Sequence, residues 1–458
     1  MALSLTPINV VAQKCANSYD QTIQLSTELS QHLQLNKMKT IKISLGKTVV
    51  TAVIQIRNMG SNEMLVSDNI LKKFSLPLNR YRFQACYQQK TQTLLLGPVI
   101  GLVTDFPVKE HEEPNFRSIH AFCEELHRVT QERGGLLYVF RHDQFPDQGY
   151  YFDGETWIPS KLPLPDVIYN RIHSRKLEYS PSFKRFRSQL EHQGIPLFND
   201  RFLSKWDVYQ LVSNEDKLQS KLPETKIFSK ENLYDFVQTY ETVFLKPVHG
   251  SQGRNIIKIT RESAERFSVQ SSLSHWEKNT EKLFELSELY SFAHPLLRGR
   301  IYIIQQGIPF LTYEKRAVDF RALCHKNTNH IWKITSMVAR IGGSEEFVSN
   351  LARGGTSMKP LTVLQVCLPE KQAYEAWTQI KQLSLAIAET VSASGSGITG
   401  ELGIDIGVDH DGKPWLIEVN SKPSKGFEDD NGKIRPSAKA IIKFCTILAF
   451  DFLIEKED

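Results

Sequence analysis

GELGIDIGVDHDGKPWLIEVNSKP, residues 400–423, reads as a β-hairpin, and the rest of the chain is interpreted outward from it. Two runs of β-branched and aliphatic residues, 402–408 and 415–419, flank Asp411-Gly412, a dipeptide that favours a two-residue type I′ turn. With that turn, His410 faces Lys413, and counting outward sets Asp405 opposite Glu418, Ile404 opposite Val419 and Ile406 opposite Ile417. Side chains alternate faces along a strand, so Leu402, Ile404 and Ile406 share a face with Trp415, Ile417 and Val419. Asp405, Glu418 and Asn420 fall together on the other face.

Like charges directly opposite on a sheet are destabilising, so the facing carboxylates need a reason. A hard cation supplies one, because this set offers only oxygen ligands and Mg²⁺ takes one or two carboxylates, waters and substrate phosphates. The plain alternative is the wet outer face of an edge hairpin. Asn420 and the tail Ser421-Lys422-Pro423 favour the metal, and the stretch resembles the last Mg²⁺-binding strands of the ATP-grasp superfamily, an acidic residue followed by E-x-N after a short turn. The resemblance implies Mg²⁺, with Mn²⁺ as a substitute, on Asp405, Glu418 and Asn420.

At 458 residues the chain exceeds what one core organises, roughly 250–300 residues, so two to four domains are expected. Hydrophobic residues at 41% and charged ones at 23% exclude disordered and fibrous classes. A net charge of +5 is small for this length and gives no argument for nucleic acid. Any phosphate cleft would collect basic residues locally. Six scattered cysteines without C-x-x-C or Cys/His ligand spacing read as reduced thiols in a cytosolic setting. The first residues lack the pattern of a signal peptide, and no run of about 18 apolar residues occurs, so a soluble protein without membrane partners is expected.

Residues 1–37 are polar with one weak amphipathic helix over 22–35, an expected peripheral extension. Short alternating strands over 38–96 predict a small β-rich module. Residues 97–200 alternate strands and helices and predict an α/β unit with a mostly parallel sheet. Residues 201–458 form the last and largest unit.

VFLKPVHGSQGRNIIKIT, residues 243–260, carries Lys246 on a strand that enters a loop containing Gly250, Ser251, Gln252 and Gly253 and leaves through another strand. Glycines let backbone N–H groups approach phosphate oxygens, and a lysine meets a phosphate as a point charge. Read alone, this is an ordinary turn. No Walker A sequence occurs. GSGITG, residues 395–400, matches G-x-G-x-x-G, but it follows a helix and opens a strand, the reverse of a dinucleotide fingerprint, and reads as a connector. Lys205, Lys246, the glycine loop and the hairpin carboxylates follow one another in the order of an ATP-grasp nucleotide cleft.

Residues 302–306 and 309–312 read as strand, turn and strand. At this position the superfamily has its hinge, which would make Gln305, Gln306 and Ile308 the adenine contacts; an ordinary buried strand needs the same residues. Residues 318–326 and 331–340 look like paired strands bearing Arg321, Lys333 and Arg340, cations suited to stabilising charge in phosphoryl transfer. FVSNLARGGT adds Asn350, Arg353, Gly354 and Gly355 in an order similar to that of amino-acid ligases such as those acting on ribosomal protein tails. There Arg340 and Arg353 would flank an acyl phosphate, and the glycines would admit the acceptor.

YNRI at 169–172, FLKPVHGSQGRNI, VDFR, RGG and the E-x-N strand together resemble the YheC/YheD family of endospore-coat-associated ATP-grasp proteins. The resemblance implies an ATP-grasp fold preceded by the α/β and β-rich units. It also implies a Mg-ATP-dependent carboxylate–amine ligase working through an acyl phosphate. Lys205 and Lys246 would bind the α and β phosphates, while Arg321 and Arg340 would stabilise developing charge. The carboxylate and amine, an amino acid, a peptide or a coat protein, stay open. Two alternatives also stay open, a structural spore protein without turnover and a kinase acting on a hydroxyl. No Ser, Cys or His is read as a nucleophile.

Overall fold

A computed structural model describes residues 5–14, 21–108, 112–250, 253–273, 281–297, 299–343, 355–393, 397–425 and 433–450. The first unit is a closed barrel whose strands run, in spatial order, Thr6–Gln13, Glu63–Ser67, Thr22–Leu25, Thr48–Ile56, Thr40–Leu45, Thr93–Gly97 and Arg80–Gln88. Alternation builds it: Ile41, Ile43 and Leu45 are buried while Thr40 and Lys42 face out. The expectation of a peripheral extension over 1–37 is corrected here. Thr6–Gln13 pairs with two barrel strands, and residues 22–35 hold a strand, Thr22–Leu25, and only a short helix, Thr27–His32. Ile23 and Leu25 lie in the barrel core, and Thr22 and Ile23 are β-branched, so core packing decides against the helix.

The second unit is a six-stranded sheet in the order Trp157–Ser160, Gly149–Phe152, Leu136–Phe140, Val99–Val103, Val167–Asn170 and Leu197–Phe198. Its four last-named strands are parallel. Completely apolar strands such as Leu136–Phe140 mark a sheet covered on both faces. One face packs on the barrel through Phe183, Phe186 and Leu190 of helix Pro181–His192. The other is covered by helix His120–Arg133 and by helix Pro436–Phe450, which comes from the far end of the sequence.

Two further six-stranded sheets make up the rest. One runs Thr225–Ile227, Tyr302–Gln306, Thr242–Pro247, Ile257–Arg261, Arg266–Ser271 and Lys282–Glu285, backed by helices Lys230–Thr239 and Leu286–Leu296. The other runs Thr356–Met358, Trp332–Ile341, Arg316–Lys326, Glu401–Val408 and Pro414–Asn420, with Thr312–Tyr313 paired to Arg316–Lys326. Helix Glu370–Ala393 packs beneath it. The segment after Tyr302–Gln306 is not the return arm of a hairpin. It crosses to the second sheet, where Phe310 bridges Asp409 and the Leu311 N–H donates to the Val408 carbonyl at 2.7 Å. GSGITG lies between helix Glu370–Ala393 and strand Glu401–Val408, with residues 394–396 outside the described residues. No helix among the described residues is long and apolar enough to cross a membrane.

Candidate functional site

The two last sheets and the loop after strand Val167–Asn170 enclose a cleft of about 1330 Å³. Small-ligand sites usually measure roughly 300–1,000 Å³, so the cleft has room for a nucleotide and a second molecule. Period two decides what faces it. On Thr242–Pro247, Val243 and Leu245 enter the core while Thr242, Phe244 and Lys246 line the cleft. On Arg316–Lys326, Val318, Phe320 and Ala322 are core, and Asp319, Arg321 and Leu323 are lining. On Trp332–Ile341, Ala339 and Ile341 are core, and Ser336, Val338 and Arg340 are lining. Twelve lysines and arginines against four carboxylates line the whole cleft, a field suited to phosphates.

Lys205 opens helix Lys205–Ser213, fixed there by Ser204, whose hydroxyl accepts from the Asp207 N–H at 3.0 Å. Its ammonium donates to Glu418 Oε1 at 2.7 Å and to the Gly250 carbonyl at 3.2 Å. Lys246 donates to Gln305 Oε1 at 2.5 Å. Burial, with the charge of Lys205 added, pushes the Lys246 ammonium down to about 8. Asp405 is held by both forks of chemistry nearby: Arg321 grips it through Nε and, at 2.7 Å, through an η nitrogen, and Arg340 approaches at 3.0 Å. Arg340 in turn makes two 2.6 Å bonds to Asp319. Burial alone would raise the Asp405 carboxyl, but the two guanidinium charges outweigh it and hold the group below the ordinary range. The protein's own cations thus neutralise the facing carboxylates. Asn420 Nδ2 reaches Asp405 Oδ2 at 3.4 Å.

Asp405 does face Glu418, and Ile404 faces Val419, yet the connection differs from the expected turn. Asp409 Oδ1 accepts from the N–H groups of Asp411 and Lys413, which draws the chain into a three-residue connection closed by Gly412 at φ +80°. That shifts the register by one, and a bulge at Ile417 shifts it back, so Ile406 pairs with Leu416 instead of Ile417. Leu416 and Val419 enter the core, while Ile417 lines the cleft beside Glu418.

Gly250, Gly253 and Ile308 line the cleft. Gln305 lines a small recess beside it, shared with Lys246, Leu416 and Ile417, and its Nε2 donates to Thr225 Oγ1 at 2.9 Å. The Gln306 side chain turns away and accepts from the Glu224 N–H at 3.1 Å. Lys333 is exposed at the far end of its strand and is not brought to the cleft. It pairs with His325, seven residues from Arg340, and the lining of the cleft on this strand ends at Ser336, so distance along the strand keeps it away. Ser251, Gln252, Asn350 and Arg353 lie outside the described residues.

Sequence reading missed several groups that folding assembles. Asp319 is one. Glu401, fully buried, accepts from the Tyr169 hydroxyl at 2.6 Å, contacts His325 Nε2 at 3.0 Å and bonds the Lys425 ammonium, with Arg171 at 3.6 Å. Burial opposes its charge, but Lys425, His325 and Arg171 hold it far below the carboxylate range. Lys422 pairs with Glu178, and burial pushes its ammonium down to about 8. The YNRI quartet was the available signal, since Tyr169 and Arg171 reach the hairpin from there.

A model described as YheC/D like ATP-grasp matches residues 194–448. Endospore coat-associated protein YheD of Bacillus subtilis (strain 168) is 27% identical over 395 residues, 83% of this chain and 84% of that protein. Endospore coat-associated protein YheC of the same organism is 22% identical over 310 residues, 67% of this chain and 83% of that protein. Among solved structures, the ADP complex of N5-carboxyaminoimidazole ribonucleotide synthetase aligns at 11% identity over 76% of this chain and 77% of its own, with a TM-score of 0.47.

Proposed function

Since the chain belongs to the YheC/D-like ATP-grasp family, we propose that it is a Mg²⁺-ATP-dependent carboxylate–amine ligase that proceeds through an acyl phosphate. The observation that carries the reading is the basic cleft in which Lys205, Lys246, Arg321 and Arg340 surround the facing pair Asp405 and Glu418. The donor set fits a hard cation that arrives with phosphates. Glu418 gives Lys205 only Oε1, and Asn420 uses its amide nitrogen on Asp405, which leaves its carbonyl oxygen for a metal. Asp405 fits once it yields one of its guanidinium contacts.

Bound Mg²⁺ would supply Lewis-acid charge neutralisation at the phosphates. Lys205 would exchange its present partners for phosphate oxygens, and Lys246 would add a phosphate oxygen to its bond with Gln305. Thr242, Phe244 and Ile417 would enclose the base with Ile308, and Gln305 would orient Lys246. Arg321 and Arg340 would neutralise charge as the γ-phosphoryl group passes to the substrate carboxylate, the main task of a protein in such a transfer. The space beyond would take the carboxylate and amine, an amino acid or peptide, in the spore-coat setting that the relatives' names suggest.

The test is incubation with ATP, Mg²⁺, hydroxylamine and a panel of amino acids, dipeptides and coat extract. Hydroxamate and ADP support the ligase. A stable phosphoester with ADP would redirect the reading to a kinase. A second reading, nucleotide binding without turnover, is favoured by the commitment of both Asp405 oxygens to arginines, and it predicts an ATP-induced stabilisation with no product from any acid.

A further inference from the structure

Outside the phosphate-binding residues, one wall of the cleft carries a polar array that the reaction above leaves unassigned. Asp105 follows strand Val99–Val103 and His173 follows strand Val167–Asn170. These strands are parallel neighbours, so both residues stand at the carboxyl ends, where open α/β sheets place their chemistry. His173 Nδ1 lies 3.3 Å from Asp105 Oδ1 and 3.3 Å from Thr104 Oγ1, and its Nε2 lies 3.4 Å from Ser118 Oγ. Ser118 and His173 both line the cleft.

The partners decide the tautomer. Thr104 gives its hydroxyl proton to the Arg171 carbonyl at 2.9 Å, so towards His173 it only accepts, and the Asp105 carboxylate only accepts as well. Nδ1 therefore carries the hydrogen, and Nε2 of the neutral ring presents a lone pair to the cleft. Burial would raise the Asp105 carboxyl, but hydrogen bonds from the His173 side chain and backbone, with the Arg117 charge, keep it below the ordinary range. It stays an anion.

The same loop is anchored on either side of His173 at the phosphate end of the cleft. Arg171 donates to the Pro423 carbonyl at 3.0 Å, three residues beyond Asn420. Arg175 donates to the Leu203 carbonyl at 3.1 Å and lies 3.4 Å from His249 Nδ1, beside Lys205 and Gly250. His173 is two residues from each anchor. Its side chain is 24% exposed, open enough to meet a substrate and enclosed enough to be held.

We propose that His173 is the base that takes the proton from the attacking amine, with Asp105 as the positioning residue on Nδ1 and with Ser118 marking the place the amine nitrogen occupies. The inference rests on the ligase reading. The amine lone pair forms the C–N bond at the acyl carbon, and the C–O bond to phosphate breaks with its electron pair leaving on phosphate. The proton shed by nitrogen goes to His173 Nε2 and passes from the imidazolium to phosphate or solvent.

The full-length protein would be assayed with ATP, Mg²⁺ and the acid panel, offering glycinamide or hydroxylamine in parallel. Hydroxylamine is unprotonated and strongly nucleophilic at neutral pH, so it needs the base least. His173→Ala should lower the ratio of amide to hydroxamate by about 10²–10⁴, the usual worth of a general base. His173→Gly should regain amide formation when imidazole is added, which a merely structural role would not show. ATP titration and thermal melting report whether each variant has folded. Equal losses of amide and hydroxamate, or no loss, overturn the proposal, as does an acyl group found on Ser118 by peptide mass mapping. A wild-type protein that forms neither product from any acid fails the ligase reading itself, a result distinct from a wild type that works and a variant that works as well.

Discussion

Replacing Asp405 by Asn tests whether the facing carboxylates are a strained pair awaiting a metal or a neutralised cluster already at rest. The side chain is 5% exposed and accepts from Arg321 in a bidentate grip, with Arg340 at 3.0 Å. Removing one member of a buried charge pair generally costs about 3–5 kcal/mol, because the partner is left uncompensated. Arg340 keeps Asp319, so the loss falls mainly on Arg321, and about 3 kcal/mol is expected, roughly two orders of magnitude in the folding equilibrium. Urea unfolding of the ligand-free protein measures it. The pH dependence adds a sign. Because the folded Asp405 carboxyl lies below its unfolded value near about 3.9, its stabilisation is complete above that value and is lost as pH falls through the lower folded one. The gap between wild type and Asp405→Asn should therefore be constant from neutral pH to about pH 5 and close only in stronger acid. The variant should also lose the stabilisation by Mg-ATP, which for wild type amounts to about 2.7 kcal/mol at a hundredfold excess over Kd. Unchanged or greater stability of the ligand-free variant would refute the reasoning, since it would mean that repulsion from Glu418 outweighs the arginines.

Lys246→Ala should weaken ATP binding by about 1.5–3 kcal/mol, the range for a hydrogen bond to a charged group, measured by titration calorimetry. With the Lys246 ammonium pushed down to about 8, wild-type ATP affinity should decline as pH rises through that value, and the variant should not share the decline. Glu401→Gln leaves Lys425 and Arg171 facing a neutral amide in a fully buried site, and a loss of about 3–5 kcal/mol in urea unfolding is expected; a neutral result would show that the network is dispensable. At Gly407 an added Cβ would stand 2.5 Å from the Phe310 ring, which carries the crossing between the sheets, so Gly407→Ala should cost about 1–3 kcal/mol and leave the barrel intact by proteolysis.

The hairpin was legible because alternation and the Glu418-x-Asn420 spacing survive changes in the turn. It was legible partly by compensation, since the Asp409 side chain and the Ile417 bulge each displace the register and cancel. Ile417 shows what is lost: a local count puts it in the core, and the bulge puts it in the cleft. Thr22–Leu25 failed as a helix because its partners, Glu63–Ser67 and Thr48–Ile56, lie far along the chain and no window contains them. The same holds for Asp105 and His173, which meet only because parallel strands bring distant carboxyl ends together, and for Glu401, whose partners come from 169–171, 325 and 425. Lys333 misled for a different reason, since a basic residue on a neighbouring strand was grouped with Arg321 and Arg340 although it pairs with His325, seven residues along the strand from Arg340.

Helix Pro436–Phe450 closes the face of the parallel sheet with Ala438, Ile441, Ile442 and Phe444 against Leu102, Val139, Val167 and Phe198. The strands of that face are complete once residue 198 has been made, yet half of its cover is encoded more than two hundred residues later. During synthesis the sheet must therefore wait with helix His120–Arg133 as its only cover on that side while both walls of the cleft emerge, and the earlier unit reaches its final core only when the later one is finished. Severing the chain near residue 200 should give two fragments that are each sticky, and that regain solubility when expressed together.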